Sequence, residues 1–86
     1  MSVHLGVNGA CGRMGQRMIQ LAREDPELVI AAALEDPGHP LQEQDIGRVA
    51  GAGDVGVPVT SELALGCHLN VLIDFSLPQG IRLSPQ

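Results

Sequence analysis

The chain alternates short apolar runs with one stretch of helical spacing. Val3-His4-Leu5-Gly6-Val7-Asn8 is apolar and partly β-branched, and predicts a strand that runs into glycines. From Arg13 to Glu24 apolar residues recur at Met14, Met18, Leu21 and Ala22, with Ile19 beside them. That is the spacing of one helix face, and it puts Met14 and Met18 in the core. Asp25-Pro26 stops the helix, because proline disfavours helical backbone in the residue before it. The run LVIAAAL, Leu28 to Leu34, does not alternate, so it predicts a strand covered on both faces, as in a parallel sheet flanked by helices.

Residues 36–56 are rich in glycine and proline and predict loop, with a short helical turn over Gln44–Val49. Val57-Pro58-Val59-Thr60 reads as a short strand whose proline suits a sheet edge. Ser61 to Leu65 reads as one or two helical turns with Ser61 as cap. Asn70 to Phe75 is a further apolar strand, followed by a turn at Ser76-Leu77-Pro78-Gln79-Gly80. Residues 81–86 carry no pattern. Strand, helix and strand in alternation predict an α/β fold with a parallel sheet, ending after about its fourth strand.

Composition narrows the function classes. The chain has 86 residues, room for one domain at most, and a single aromatic residue, Phe75, so its core must be aliphatic. A net charge of -5 argues against nucleic acid or an anionic membrane surface as a partner. No run approaches the ~20 apolar residues of a membrane span. Met1-Ser2-Val3-His4 leads straight into the first strand without the pattern of a signal peptide. Cys11 and Cys67 form no CxxC, so a cytoplasmic protein with reduced thiols is expected.

The chemistry concentrates where the first strand meets the helix. Gly9, Gly12 and Gly15 form G-x-x-G-x-x-G there. In a dinucleotide-binding loop the first glycine allows the turn, the second lets a pyrophosphate approach the backbone, and the third lets the helix pack closely. The unpaired N–H groups of the first helical turn face the anion. Arg13 opposes the helix dipole, a cost of about 0.3–1 kcal/mol that an intervening phosphate removes. Glu35 follows the second strand, where a carboxylate grips the ribose hydroxyls about 20 residues beyond the loop. With Asp36 it places two negative charges where a 2′-phosphate would sit, which predicts a preference for NADH over NADPH. The bland alternatives are a ligand-free turn, a solvated Arg13, and a solvated loop starting at Glu35-Asp36.

Taken together, Val7-Asn8-Gly9-Ala10-Cys11-Gly12-Arg13-Met14-Gly15, Ala33-Leu34-Glu35, Gly51-Ala52-Gly53 and Ile73-Asp74-Phe75-Ser76-Leu77-Pro78-Gln79-Gly80 resemble the amino-terminal part of the 4-hydroxy-tetrahydrodipicolinate reductases. The resemblance covers roughly residues 3–80. It implies a partial Rossmann-like NAD(P)-binding domain of an oxidoreductase in bacterial lysine and diaminopimelate synthesis. In that family a hydride passes to a cyclic, imine-like dicarboxylate, giving tetrahydrodipicolinate. Cytoplasmic homotetramers are typical. The resemblance also implies that Gly9, Ala10, Cys11, Gly12, Arg13 and Met14 form the pyrophosphate loop and that Glu35 is the ribose acid. Phe75 and Ser76 match the turn near the cofactor. Asp36 departs from the arginine that several relatives place there for the 2′-phosphate, which supports the NADH preference.

The family is about three times as long, and its later Gly-Thr-Thr-Gly turn and His-His-x-x-Lys segment have no counterpart here. The expectation is therefore half of a dinucleotide domain over residues 1–80, an unpatterned tail over 81–86, and no substrate domain, as in a fragment or frameshifted product. Such a chain holds no catalytic residue, takes a small-molecule substrate only in a full-length relative, and is marginally stable or associates through an open sheet edge. Alternatives are a non-catalytic dinucleotide-binding or interaction module, or another nicotinamide enzyme such as a semialdehyde dehydrogenase. His4, His39 and His68 lack metal-ligand spacing, so no metal is expected. Cys11 lies at a helix N-terminus, where a thiol pKa can fall. Glu43, Asp45 and Asp54 read as solvated loop positions.

Overall fold

A computed structural model describes residues 2–63 and 66–75, and the backbone of 82–83. Strands β1 (Val3–Asn8), β2 (Leu28–Leu34), β3 (Val59–Thr60) and β4 (Val71–Asp74) form a parallel sheet in the order β3-β2-β1-β4. Among the described residues the helices are α1 (Arg13–Glu24), between β1 and β2, and α2 (Ile46–Val49), in the long loop. This is the partial Rossmann-like α/β arrangement, with β1 central and its neighbours supplied by crossovers.

The pattern located β1, α1 and β2 to the residue, and β4 within one residue at each end. Residues 81–86, expected to be patternless, hold a two-residue strand, β5 (Arg82–Leu83). It pairs antiparallel with β4, matching Ile73 to Leu83 and Asp74 to Arg82. The outer edge of β4 is therefore partly covered by β5 rather than wholly open. The expected helix at Ser61 is a bend over residues 61–63, and Ala64 and Leu65 lie outside the described residues. The edge position expected for Val57-Pro58-Val59-Thr60 holds, though the strand begins at Val59 and Pro58 just before it bridges to Asp45.

The aliphatic core lies between the sheet and the helices. Leu5, Val7, Ala10, Ile19, Ala22, Ile30, Ala33, Ile46, Ala50 and Val59 form one buried cluster. A bulge between Leu5 and Gly6 shifts the β1–β2 register by one residue, which explains why Ile30 and Ala33 share this cluster despite their odd spacing. β2 is not covered throughout: Val29 is exposed.

The expected helix face is corrected as well. α1 buries Gly15, Ile19 and Ala22, while Met14 and Leu21 are exposed and Met18 is half-buried. The reason is a backbone contact. A Cβ on Gly15 would lie 2.7 Å from the Ala10 Cα and closer still to the Gly9 carbonyl oxygen. The helix start can rest on the loop only through Gly15, and each residue turns the helix by about 100°. Met14, one position earlier, is thereby rotated outwards.

Asp45 is likewise no idle loop carboxylate. It caps α2 by accepting the Arg48 N–H at 3.1 Å. It also accepts the N–H groups of Val55 at 2.9 Å, Gly56 at 2.6 Å and Val57 at 3.0 Å, folding the loop around itself. Asp54 pairs with Arg48 at 2.9 Å on the surface, where such a pair contributes little.

Desolvation raises the Asp45 pKa, but its four backbone donors together outweigh this and hold it below the ordinary carboxylate value. A depressed folded-state pKa gives stability that is complete above the unfolded value, about 3.9, and is lost as pH falls through the folded one. Asp45→Ala should cost about 1–2 kcal/mol at pH 7, the scale of a lost cap. Its disadvantage against wild type should shrink below about pH 4. Urea unfolding from pH 7 to pH 3 checks both points.

Candidate functional site

The carboxyl ends of β1 and β2 hold the glycine loop in place. The N–H groups of Gly9 and Ala10 both donate to the Leu34 carbonyl, at 2.9 and 3.1 Å. Gly9 has φ +78°, which glycine adopts without strain, and its carbonyl accepts the Gly12 N–H at 3.1 Å. Gln16 closes the turn, donating from its side-chain amide to the Cys11 carbonyl at 2.7 Å. Ala10 is fully buried and belongs to the core.

Gly12 is the N-cap of α1, and no side chain caps the helix. The Gln16 N–H donates to the Gly12 carbonyl, starting the helical ladder. Among the described residues, the N–H groups of Arg13, Met14 and Gly15 find no protein acceptor, as expected of a first turn. There is no acidic residue in that turn, and the side chains of Arg13 and Met14 are exposed. A Cβ on Gly12 would meet only the Gly9 carbonyl oxygen, at 3.5 Å, an ordinary contact. Among the described residues, no packing contact explains why Gly12, unlike Gly15, lacks a side chain.

Glu35, half-buried, reaches into this same place. Its Oε2 accepts the Cys11 N–H at 2.9 Å, while its own N–H donates to the Thr60 carbonyl at 2.9 Å. The carboxylate thus stands at the loop with one oxygen anchored on the backbone. Asp36 follows it, exposed. Gln42 donates from its side-chain amide to the carbonyls of Glu35 and Asp36, at 3.2 and 2.8 Å, and fixes the turn after β2. Phe75 donates its N–H to the Asn8 carbonyl at 2.8 Å, which sets the end of β4 beside the residue before Gly9. Ser76, predicted with it, lies outside the described residues.

The pKa of the Cys11 thiol is not lowered by its place at the helix N-terminus, in keeping with the reading that it is no reactive nucleophile. Burial pushes its pKa up, and the Glu35 carboxylate adds to the effect, so the thiol is not an activated nucleophile. Neither Gln42 nor His39, which the fold brings beside Cys11 and Glu35, could be placed at this site from local spacing. These neighbours arise from a turn closing back on the loop, not from any local spacing.

Residues 3–83 match the protein family described as Dihydrodipicolinate reductase, N-terminus. The chain belongs to this family. It is 44% identical over 78 residues to a 4-hydroxy-tetrahydrodipicolinate reductase of Pelobacter propionicus, covering 90% of this chain and 29% of that protein. With the reductase of Geobacter sulfurreducens it shares 47% over 78 residues, covering 87% of this chain and 28% of the relative. With that of Methanothermobacter thermautotrophicus it shares 41% over 80 residues, covering 87% and 29%. The chain therefore spans less than a third of the length of these relatives. No helix among the described residues is long and apolar enough to cross a membrane.

Proposed function

We propose that this chain is the dinucleotide-holding, amino-terminal part of a 4-hydroxy-tetrahydrodipicolinate reductase, with a preference for NADH. One observation carries this reading. The open N–H groups of Arg13, Met14 and Gly15 and the Glu35 carboxylate meet at a single loop, with Glu35 Oε2 lying 2.9 Å from the Cys11 nitrogen.

The chemistry follows from that placement. The free amides of the first turn would hold a diphosphate, where the helix dipole favours negative charge. The Arg13 guanidinium adds a cation on the same side. The Glu35 oxygen not held by Cys11 accepts the ribose hydroxyls, and Glu35 with Asp36 repels a 2′-phosphate. The dinucleotide supplies the hydride, which passes to a cyclic, imine-like dicarboxylate. The groups that hold the nicotinamide and the substrate belong to the part of the relatives that this chain does not span. No residue here is assigned to the chemical step. A cytoplasmic, tetrameric assembly belongs to the same reading.

Calorimetric titration of the chain with NADH and NADPH tests it. NADH should bind more tightly, and the absence of binding by both would overturn the proposal. Glu35→Gln keeps an acceptor for the Cys11 N–H but removes the charge. It should weaken NADH about 5- to 10-fold, the loss of one charge-assisted hydrogen bond against a neutral one, and narrow the gap to NADPH.

A further inference from the structure

The fold gathers three metal-ligating side chains from two stretches of chain, Cys11 from one and Glu35 and His39, four residues apart, from the other. Cys11 comes from the glycine loop, Glu35 from the end of β2, and His39 from the turn beyond it. One ligand atom from each lies within 4.8 Å of the others, and all three residues are half-buried. We propose that Cys11 Sγ, the Glu35 carboxylate and a ring nitrogen of His39 bind a borderline divalent cation, zinc above all, at the crest of the glycine loop.

The donor set selects the metal. Thiolate, imidazole and carboxylate together suit zinc or cobalt(II), whereas magnesium and calcium require oxygen ligands. Tetrahedral bonds of about 2.0–2.3 Å place ligand atoms roughly 3.3–3.8 Å apart, so small side-chain rotations close the site. The surroundings already orient the ligands. Cys11 N–H fixes one Glu35 oxygen and leaves the other free to ligate. The backbone N–H of His39 is held by the Asp36 carbonyl at 3.0 Å. Three protein ligands leave a fourth position for water. On binding, the thiol releases its proton to solvent and sulfur enters as thiolate. A cation also reverses the disadvantage of placing that thiolate beside a carboxylate.

The imidazole leaves a signature of its own. Its Nδ1 accepts the Leu41 N–H at 3.1 Å. Coordination through Nδ1 takes that lone pair, and coordination through Nε2 moves the ring proton to Nδ1. Either route releases the Leu41 amide. Zinc here also engages the Glu35 carboxylate needed by the ribose, so metal and dinucleotide exclude each other. This last point rests on the function proposed above, whereas the metal site does not.

Cobalt(II) titration of the untagged, reduced chain without nucleotide is the test. Wild type and Cys67→Ser should both develop a thiolate-to-cobalt charge-transfer band that zinc abolishes, and Cys11→Ser should not. His39→Ala should weaken cobalt about tenfold or more. A wild-type chain without the band, or a band that survives in Cys11→Ser, overturns the site. Should Cys11→Ser misfold, the Leu41 amide resonance of wild type decides: it shifts on zinc addition, or the imidazole is not a ligand and the proposal fails. NADH should bind more weakly under saturating zinc, and unchanged affinity overturns the exclusion. NADH that fails to bind even without zinc overturns the dinucleotide reading and leaves the metal site standing.

Discussion

Gly15→Ala should lower the thermal midpoint by about 10–20 °C, or prevent folding outright. Two effects oppose each other at this position. Alanine is the better helix former, by about 1 kcal/mol. Against this, the added methyl would lie 2.7 Å from the Ala10 Cα and closer to the Gly9 carbonyl oxygen, both backbone atoms of a loop anchored to Leu34. Overpacking usually costs about 1–3 kcal/mol, and the upper end applies where no flexible side chain can yield. The net loss is about 2 kcal/mol or more, and in a domain of this size each kcal/mol moves the midpoint by roughly 4–8 °C. A domain of 86 residues has only about 4–13 kcal/mol in all. Differential scanning calorimetry checks the result. An unchanged midpoint would show that the helix start does not rest on the loop, and would remove the explanation given for Met14 facing outwards.

The same contact shows what was legible in the sequence and what was not. Runs such as LVIAAAL announce strands because a sheet packed on both faces favours apolar residues at successive positions, although Val29 is exposed. The glycine spacing announced the loop because backbone approach demands the absence of side chains. The face of α1 was misjudged because a backbone contact at one glycine outranked the preference of two large apolar side chains for the core. Asp45 was missed for a related reason. Three of its four donors, Val55, Gly56 and Val57, reach it only once the loop has closed. β5 was missed because two residues contain no period, and only the neighbouring edge of β4 makes them a strand.

The candidate site divides along the same line. Gly9, Gly12, Gly15 and Glu35 could be named because each occupies a fixed place relative to an element boundary. That Glu35 would hold the Cys11 N–H could not, since it depends on how far β2 extends beside β1. The contact has a consequence for binding. One carboxylate oxygen is committed before any ligand arrives, so the side chain is already ordered and would lose little freedom on binding a ribose, the role proposed for it.

Gly12→Ala provides the counterpart to Gly15→Ala and the sharpest separation of binding from folding. With φ -76° the backbone at Gly12 is open to any residue, and an added methyl makes only an ordinary contact with the loop. The stability cost is that of exchanging glycine for alanine at an N-cap, less than about 1 kcal/mol. Yet the methyl would stand at the N-cap, at the head of the first turn, where Arg13, Met14 and Gly15 present N–H groups with no acceptor among the described residues. A diphosphate held off those groups loses at least one charge-assisted bond, about 1.5–3 kcal/mol. NADH affinity should therefore fall about 10- to 100-fold while the thermal midpoint moves by only a few degrees. Calorimetric titration beside a thermal melt reads both quantities. Full affinity in a folded Gly12→Ala chain would mean that the cofactor's phosphates do not lie on this turn. The missing side chain at Gly12 would then need another cause, which packing among the described residues does not provide.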